Sequence, residues 1–548
     1  MPRMSGTQYL AEALKGYGVT HIFYVPSVLG SMMPLLKQAG IKTVITHGEK
    51  AAAYMADGYA RSTHKPGIAL CQDIGTTNLA AGLRDPFMAC SPVIAITGGQ
   101  GETPRYRHAY QNAEDFGAWE GVTKANFYVD TADRLPDLLR QAFRVATSGT
   151  PGPVHLELRG NAGQMLEKEA DFDLTFEDRF VAYPPFRPEP DAASIDAAVD
   201  LLARAERPII VAGGGVVASG AGSEVVKLAE RLSIPVATSL NAKAIIPDEH
   251  PLAVGVPGSY SRWSANKTVS EADLVLFIGS HTGGQVTNGW QLPKPGTAVI
   301  QVDIEPDELG RNYPNAVSVH GDAKVAVQRL IDAAEAQPPR QQWLARVQSH
   351  ARDYWTESDP LKESDAVPIR PERLCKELDE WLPEDATLVC DTFHAAIWTA
   401  QMMRLKARQG YIRCAGSLGW GLPGTIGVKA GAPDKPIIGF TGDAGFYYHL
   451  SELETAVRNG INPVIVVNNN YSGGVGETSP FEHSVSLAKL AQDLGCFGVR
   501  VEKPADIRAA LDAAQNAAMS EGRPAVVEVV SDPSIRAQRA WLPNETDH

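Results

Sequence analysis

The chain has 548 residues, 44% of them hydrophobic and 21% charged, more than one core can organise, so three domains of ordinary size are expected. A formal charge of −14 tells against a nucleic-acid or anionic-membrane partner, so an anionic ligand would have to be met locally by backbone amides or a metal. Six scattered cysteines without a C-x-x-C pair, and no apolar run long enough to act as a signal core or cross a bilayer, predict a soluble, cytoplasmic protein without structural zinc.

The first block, residues 1–165, opens on an amphipathic helix and then alternates helical stretches with the apolar runs "GVTHIFYVPS", "IKTVITHG", "PGIALCQD", "SPVIAITGG" and "GPVHLELRG". The runs are mostly unbroken, which suits strands buried on both faces of a parallel sheet. Residues 161–190, charged and then proline-rich, predict a linker. The second block, 190–336, carries "RPIIVAGGGVV", "IPVATSL", "ADLVLFIGS" and "TAVIQVDIEPDELG". Its Gly213-Gly214-Gly215 turn has two readings, a phosphate approach to a helix N-terminus or simply a tight strand-to-helix turn. Polar residues 337–367 predict a second linker, and the third block, 368–535, holds "ATLVCDT", "KPIIGFTGD", "NPVIVVNNN" and "RPAVVEVVS". The predicted fold class is α/β, with three consecutive doubly wound parallel-sheet domains.

Two strand ends in the third block carry chemistry. One run stops at Asp443 and the next at Asn468-Asn469-Asn470, with Asn470 standing 27 residues after Asp443. That is one helix and one strand, a right-handed crossover, so the two ends should be neighbours on the side of a parallel sheet where ligands collect. A carboxylate and an amide carbonyl suit Mg²⁺, and Ala444 and Gly445 leave backbone amides open to a phosphate. An aspartate N-cap and a polar loop form the plain alternative.

A G-D-x-x-F start and an N-N end at this separation resemble the metal–diphosphate motif of thiamine diphosphate (ThDP) enzymes. "GVTHIFYVPS", "HGEKAAAYMADGYAR", "GTTNLAAGLRDPFMACSPVIAITGG", "SGTPGPVHLEL", "DLVLFIG…VIQVDIEPDELG" and "GSLGWGLPGTIG" extend the resemblance, to the acetolactate synthase-like branch, over nearly the whole chain. It implies a pyrimidine-binding domain (1–165), a central Rossmann-like domain (190–336) and a diphosphate-binding domain (368–535), with ThDP and Mg²⁺ as cofactors. Glu49 is implied to sit against N1′ of the aminopyrimidine. A carboxyl in an apolar cleft can share a proton there and so promote loss of the thiazolium C2 proton, the cofactor being the carbanion source. A glutamate that merely complements the helix dipole is the plain alternative.

Leu418 matches the bulky residue over which the family's cofactor bends, and Gly416 the carbonyl that meets its 4′-amino group. Asp443, Asn470 and the Ser472 carbonyl are implied as metal ligands. Gly442, Ala444, Gly445, Gly473, Gly474, Thr392, Phe393 and His394 would surround the diphosphate. Pro26, Ser27 and Val28 match the loop beside the thiazolium, and Gly75, Thr76, Thr77 and Asn78 a turn in the same cleft. Tyr110 and Gln111 match an aromatic–glutamine pair near the reacting carbon. Cys71 lies where some relatives carry an active-site histidine, although a buried spectator thiol is the plainer reading. His47, His108 and His281 are weaker candidates for proton transfer.

Three departures narrow the function. Ser479 stands near the place of the tryptophan that guides acceptor choice in true acetolactate synthases, and Arg159-Gly160-Asn161 replaces the P-K-D that usually follows "GPV"; both tell against acetolactate synthesis itself. "GSHTGGQVT" lacks the arginine of many flavin-binding relatives, so FAD is not favoured. The expected function is a ThDP- and Mg²⁺-dependent lyase or carboligase that decarboxylates 2-oxo acids, forms 2-hydroxy ketones, or both. Alternatives are a 2-hydroxyacyl-CoA lyase or oxalyl-CoA decarboxylase relative, a benzoin-type 2-hydroxy ketone lyase, and a non-catalytic ThDP-fold subunit. The CoA reading needs a central nucleotide site and usually a basic tail, whereas "SDPSIRAQRAWLPNETDH" holds two arginines. The presence of both Glu49 and Asp443 tells against the non-catalytic reading. Besides a small-molecule substrate, the expected partner is a second copy of the chain. The family seats its cofactor between the first domain of one subunit and the third of another, in a dimer often doubled to a tetramer.

Overall fold

The computed structural model describes residues 2–25, 30–101, 107–111, 116–472 and 481–543. Pro26, Ser27, Val28, Gly473, Gly474 and Ser479 lie outside them. The chain forms three six-stranded parallel sheets with helices on both faces, as its unbroken apolar runs predict.

The first sheet contains β1 (His21–Tyr24), β2 (Lys42–Ile45), β3 (Gly67–Cys71), β4 (Val93–Gly99), β5 (Ala125–Val129) and β6 (Val154–Arg159), in the order β2-β1-β3-β4-β6-β5. The second contains β7 (Pro208–Ala212), β8 (Val236–Thr238), β9 (Ala253–Gly255), β10 (Leu274–Ile278), β11 (Ala298–Asp303) and β12 (Val317–His320). Its order, β9-β8-β7-β10-β11-β12, is that of dinucleotide-binding folds. The third contains β13 (Thr387–Cys390), β14 (Gly410–Arg413), β15 (Ile437–Gly442), β16 (Val464–Asn469), β17 (Phe497–Val501) and β18 (Ala525–Val530). It runs β14-β13-β15-β16-β18-β17, repeating the first sheet's topology.

The first and third domains share one buried apolar cluster, in which Phe23, Ala52, Met55, Leu79 and Leu83 meet Leu422, Ile426, Phe446 and Leu453. Its axis is the crossing of α1 (Glu49–Thr63) with α3 (Gly421–Gly431). The crossing is backbone-close. A Cβ added at Gly58 would lie 2.1 Å from the Gly424 carbonyl oxygen, and one at Gly427 2.0 Å from that of Met55. After β3 the chain forms α2 (Thr76–Met88), which packs on α1 and β4.

Both segments read as linkers are packed. Glu169–Asp171 pairs antiparallel with Arg3–Ser5, and Phe172 and Phe180 enter the first domain's core. Gln341–Lys362 is a 22-residue helix whose Trp343, Val347, His350 and Tyr354 are buried. Those four stand at helical spacing, a stripe that the surrounding polar residues mask in the sequence.

Candidate active site

In the third sheet β15 and β16 are parallel neighbours, with Gly442 opposite Asn468. Neighbouring strands lie about 4.8 Å apart, so Asp443 and Asn470, the first and second residues beyond that pair, leave the sheet side by side. Asp443 starts α4 (Asp443–Tyr448), is almost fully buried, and accepts a hydrogen bond from the Ala444 amide (2.7 Å). The Asn470 side-chain oxygen accepts from the Ser472 amide (3.2 Å) and hydroxyl (2.6 Å), folding the chain back through Tyr471 at φ 55°. Asn469 points the other way and donates to Glu528 (2.8 Å). Asn468 shares the Asn470 face by strand alternation, and its buried Oδ1 has no partner among the described residues.

Asp391, which follows β13 and opens the strand end that the sequence offers as a rim for the diphosphate, organises the opposite wall. Its fully buried carboxylate accepts from the amides of Thr392 (2.7 Å), Gly419 (3.3 Å) and Gly421 (3.2 Å) and from the Thr441 hydroxyl (3.1 Å). Burial nonetheless pushes its pKa up to about 6. Phe393 takes φ 56° and its exposed ring stacks on His394 at 4.4 Å between centroids. Leu418 and Gly416 lie on the loop that Asp391 grips, and a Cβ placed at Gly416 or Gly442 would meet nothing within 4 Å. This end of the sheet therefore leaves open space beside two bare backbones.

In the first domain Glu49 opens α1, with Gly48 as its extended N-cap. Asn78 donates to its carboxylate at 3.3 Å, and a Cβ at Gly75 would come within 2.5 Å of it, so Gly75 and the first turn of α2, where the sequence predicts a turn, fit against Glu49. Gln111, at φ 59°, accepts from the Asn161 amide group (3.4 Å), and Asn161 in turn accepts the Asp73 backbone N–H (2.9 Å). Gln111 thus joins this cleft, whereas the neighbouring Tyr110 ring is 86% exposed. Cys71 is fully buried within the apolar cluster beside Ala53 and Leu79. His47 bonds Glu454 across the domain boundary (2.8 Å), and His108 lies on the surface at φ 53°.

The central domain contributes a cavity of about 460 Å³ against the first domain, lined by Gly213–Gly215, Ser239, His281, Asp303, Cys90 and Arg413. Its glycines are explained by packing: a Cβ at Gly213 would lie 2.1 Å from the Gly279 oxygen, and one at Gly215 2.7 Å from the Gly279 Cα. The amides of Gly213 and Gly215 are already given to Ile278 and Gly279 carbonyls, so the tight-turn reading accounts for both. His281 faces the Cys90 sulfur at 3.9 Å, a contact that raises its pKa to about 9.

Three family models match this chain. They are described as the thiamine pyrophosphate enzyme N-terminal TPP binding domain (residues 4–118), central domain (195–330) and C-terminal TPP binding domain (393–529). A probable acetolactate synthase large subunit of Methanocaldococcus jannaschii is 31% identical over 97% of this chain and 92% of its own length. A glyoxylate carboligase of Escherichia coli O157:H7 is 29% identical over 97% and 93%, and the acetolactate synthase large subunit of Corynebacterium glutamicum 28% over 96% and 87%. With all three domains matched in order along a chain of three parallel α/β sheets, the protein belongs to the thiamine diphosphate enzymes, in their acetolactate synthase-like branch.

Proposed function

We propose that the protein is a Mg²⁺-dependent lyase or carboligase acting on 2-oxo acids, and that the end of the third sheet holds the cofactor's diphosphate. The adjacency of Asp443 and Asn470 beyond the paired Gly442 and Asn468 carries this reading. The group fits: the donors are hard oxygens of the kind Mg²⁺ takes, the orphaned Asn468 oxygen lies on the same face, and the bare backbones of Gly416 and Gly442 leave room. Asp443, Asn470 and the Ser472 carbonyl would hold the metal. The amides of Ala444 and Gly445 at the start of α4, with Thr392, Phe393 and His394, would face the phosphates.

Bound ThDP supplies a carbanion equivalent that adds to the 2-oxo carbonyl and accepts the electrons released with CO₂. The protein's part is to hold protons and exclude water. Glu49, fixed by Asn78, would hold a proton at N1′ of the aminopyrimidine. Leu418 would pack against the bound cofactor and hold it in place, and Gln111 would orient the substrate. Exposed Ile74, Phe87, Met88, Phe393 and Tyr448 on the first and third domains support a dimer in which one subunit's Glu49 serves the cofactor seated on the other's third domain. The occupied amides of Gly213 and Gly215 favour 2-oxo acids over acyl-CoA substrates.

The test offers 2-oxo acids, glyoxylate and pyruvate among them, with and without an aldehyde acceptor, to protein loaded with ThDP and Mg²⁺. CO₂ release and 2-hydroxy ketone products are followed by mass spectrometry. Turnover of any member supports the reading; silence across the panel with cofactor bound rejects 2-oxo acids as the substrate class.

A further inference from the structure

Asp85 is a fully buried carboxylate on α2, and its nearest partners lie in another domain. Its Oδ1 accepts from the Ala415 amide (2.8 Å), and its Oδ2 from the amides of Gly416 (3.0 Å) and Ser417 (2.9 Å). The charge is balanced by Arg61, whose Nη2 donates to Oδ1 at 3.0 Å. Arg61 also makes a two-pronged contact with buried Asp57 (2.8 and 2.5 Å) and donates to the Arg413 carbonyl (2.5 Å). Asp57 accepts in addition from the Trp420 indole N–H (2.9 Å), over whose ring Arg61 lies at 4.9 Å.

The first domain therefore grips residues 413–420 of the third at five points. From the other side Asp391 holds the amides of Gly419 and Gly421. Leu418 stands between the two carboxylates, on the one segment that both restrain. A buried carboxylate needs charge-assisted donors to offset its lost hydration, and fixed backbone N–H groups supply them only in one loop geometry. A cap or a solubilising surface charge would need none of this.

We propose that Asp85, clamped by Arg61, is a positioning residue for the cofactor: it fixes the Ala415–Ser417 backbone and so sets where Leu418 and the Gly416 carbonyl meet ThDP. This rests on the ThDP reading above. Asp85→Asn keeps the shape but turns an amide N–H₂ toward the N–H groups of Gly416 and Ser417, leaving donors facing donors.

The experiment measures ThDP affinity by isothermal titration calorimetry with Mg²⁺ present, and kcat and KM at saturating ThDP, for wild type, D85N, L418A and D85N/L418A. We expect D85N to weaken ThDP binding by about tenfold or more, the effect of disturbing hydrogen bonds to a charged group, and to lower kcat with substrate KM unchanged. Because Asp85 acts through Leu418, D85N is expected to add little in the L418A background. Additive losses in the double variant, or a lowered Tm with unchanged ThDP affinity, assign Asp85 a purely structural role and overturn the proposal. Should D85N fail to fold, R61K loosens the same clamp while keeping both charges; it is expected to weaken ThDP binding in the same direction, and unchanged affinity overturns the proposal. Wild type that binds no ThDP rejects the cofactor reading itself, a result distinct from a variant matching a competent wild type.

Discussion

The first and third domains thread six strands in the same order, yet their strand ends offer opposite chemistry. In the first, the cleft is built from a carboxylate at a helix start, Glu49, with an amide donor, Asn78, and a glycine turn fitted against it. In the third, adjacent strand ends set a carboxylate beside an amide oxygen, with open space at Gly416 and Gly442. Topology thus supplies two equivalent places for a ligand, and the residues just beyond each strand decide what each place does. On the function proposed above, one domain would move a proton and the other would hold an anion and its metal.

The sharpest way to break this division is Glu49→Gln. Turnover is expected to fall by about 10³-fold, within the range for a lost proton-transfer group, while ThDP affinity by calorimetry stays near wild type. A parallel loss of affinity would erase the proton-versus-anchor distinction.

A second test uses Asp391, whose pKa lies above that of an unfolded aspartate. The folded state therefore holds a proton that the unfolded state has lost between pH 4 and about 6, so stability falls as pH rises through that window. At full deprotonation the loss is about 3 kcal/mol. Urea unfolding of metal-free protein at pH 4.5 and 7 should show it in the wild type and not in Asp391→Asn; equal pH slopes would refute it.

The complement of the first test is Asp443→Ala, expected to weaken Mg²⁺-dependent ThDP binding by at least about tenfold, since losing even an outer-shell partner costs that much. Tryptophan fluorescence titration reads it, and an unchanged Kd removes Asp443 from the ligand set. The last test concerns what binds the two domains together. Gly58→Ala drives a methyl into the Gly424 carbonyl and is expected to cost about 2 kcal/mol, read as a lowered urea midpoint.

Much of this was legible in the sequence. Continuous apolar runs dictate strands buried on both faces, and a spacing of 27 residues makes Asp443 and Asn470 neighbours, although the crossover holds two short helices, Asp443–Tyr448 and Glu452–Asn459, where the sequence predicts one. Glu49 at a helix start was likewise readable, whereas Thr76–Asn78, predicted as a turn, open α2. What only the tertiary structure decided are contacts without a local signature. Asp85 meets Ala415 across 330 residues, Asp391 grips a loop after a different strand, and Gly213 and Gly215 are explained by their approach to Gly279. The packed "linkers" belong here too, since their few buried aromatics are diluted by polar neighbours. Periodicity and motif spacing record the restraints a segment places on itself; the partner of a buried carboxylate is set by where two distant segments meet, and that is fixed only when the chain closes.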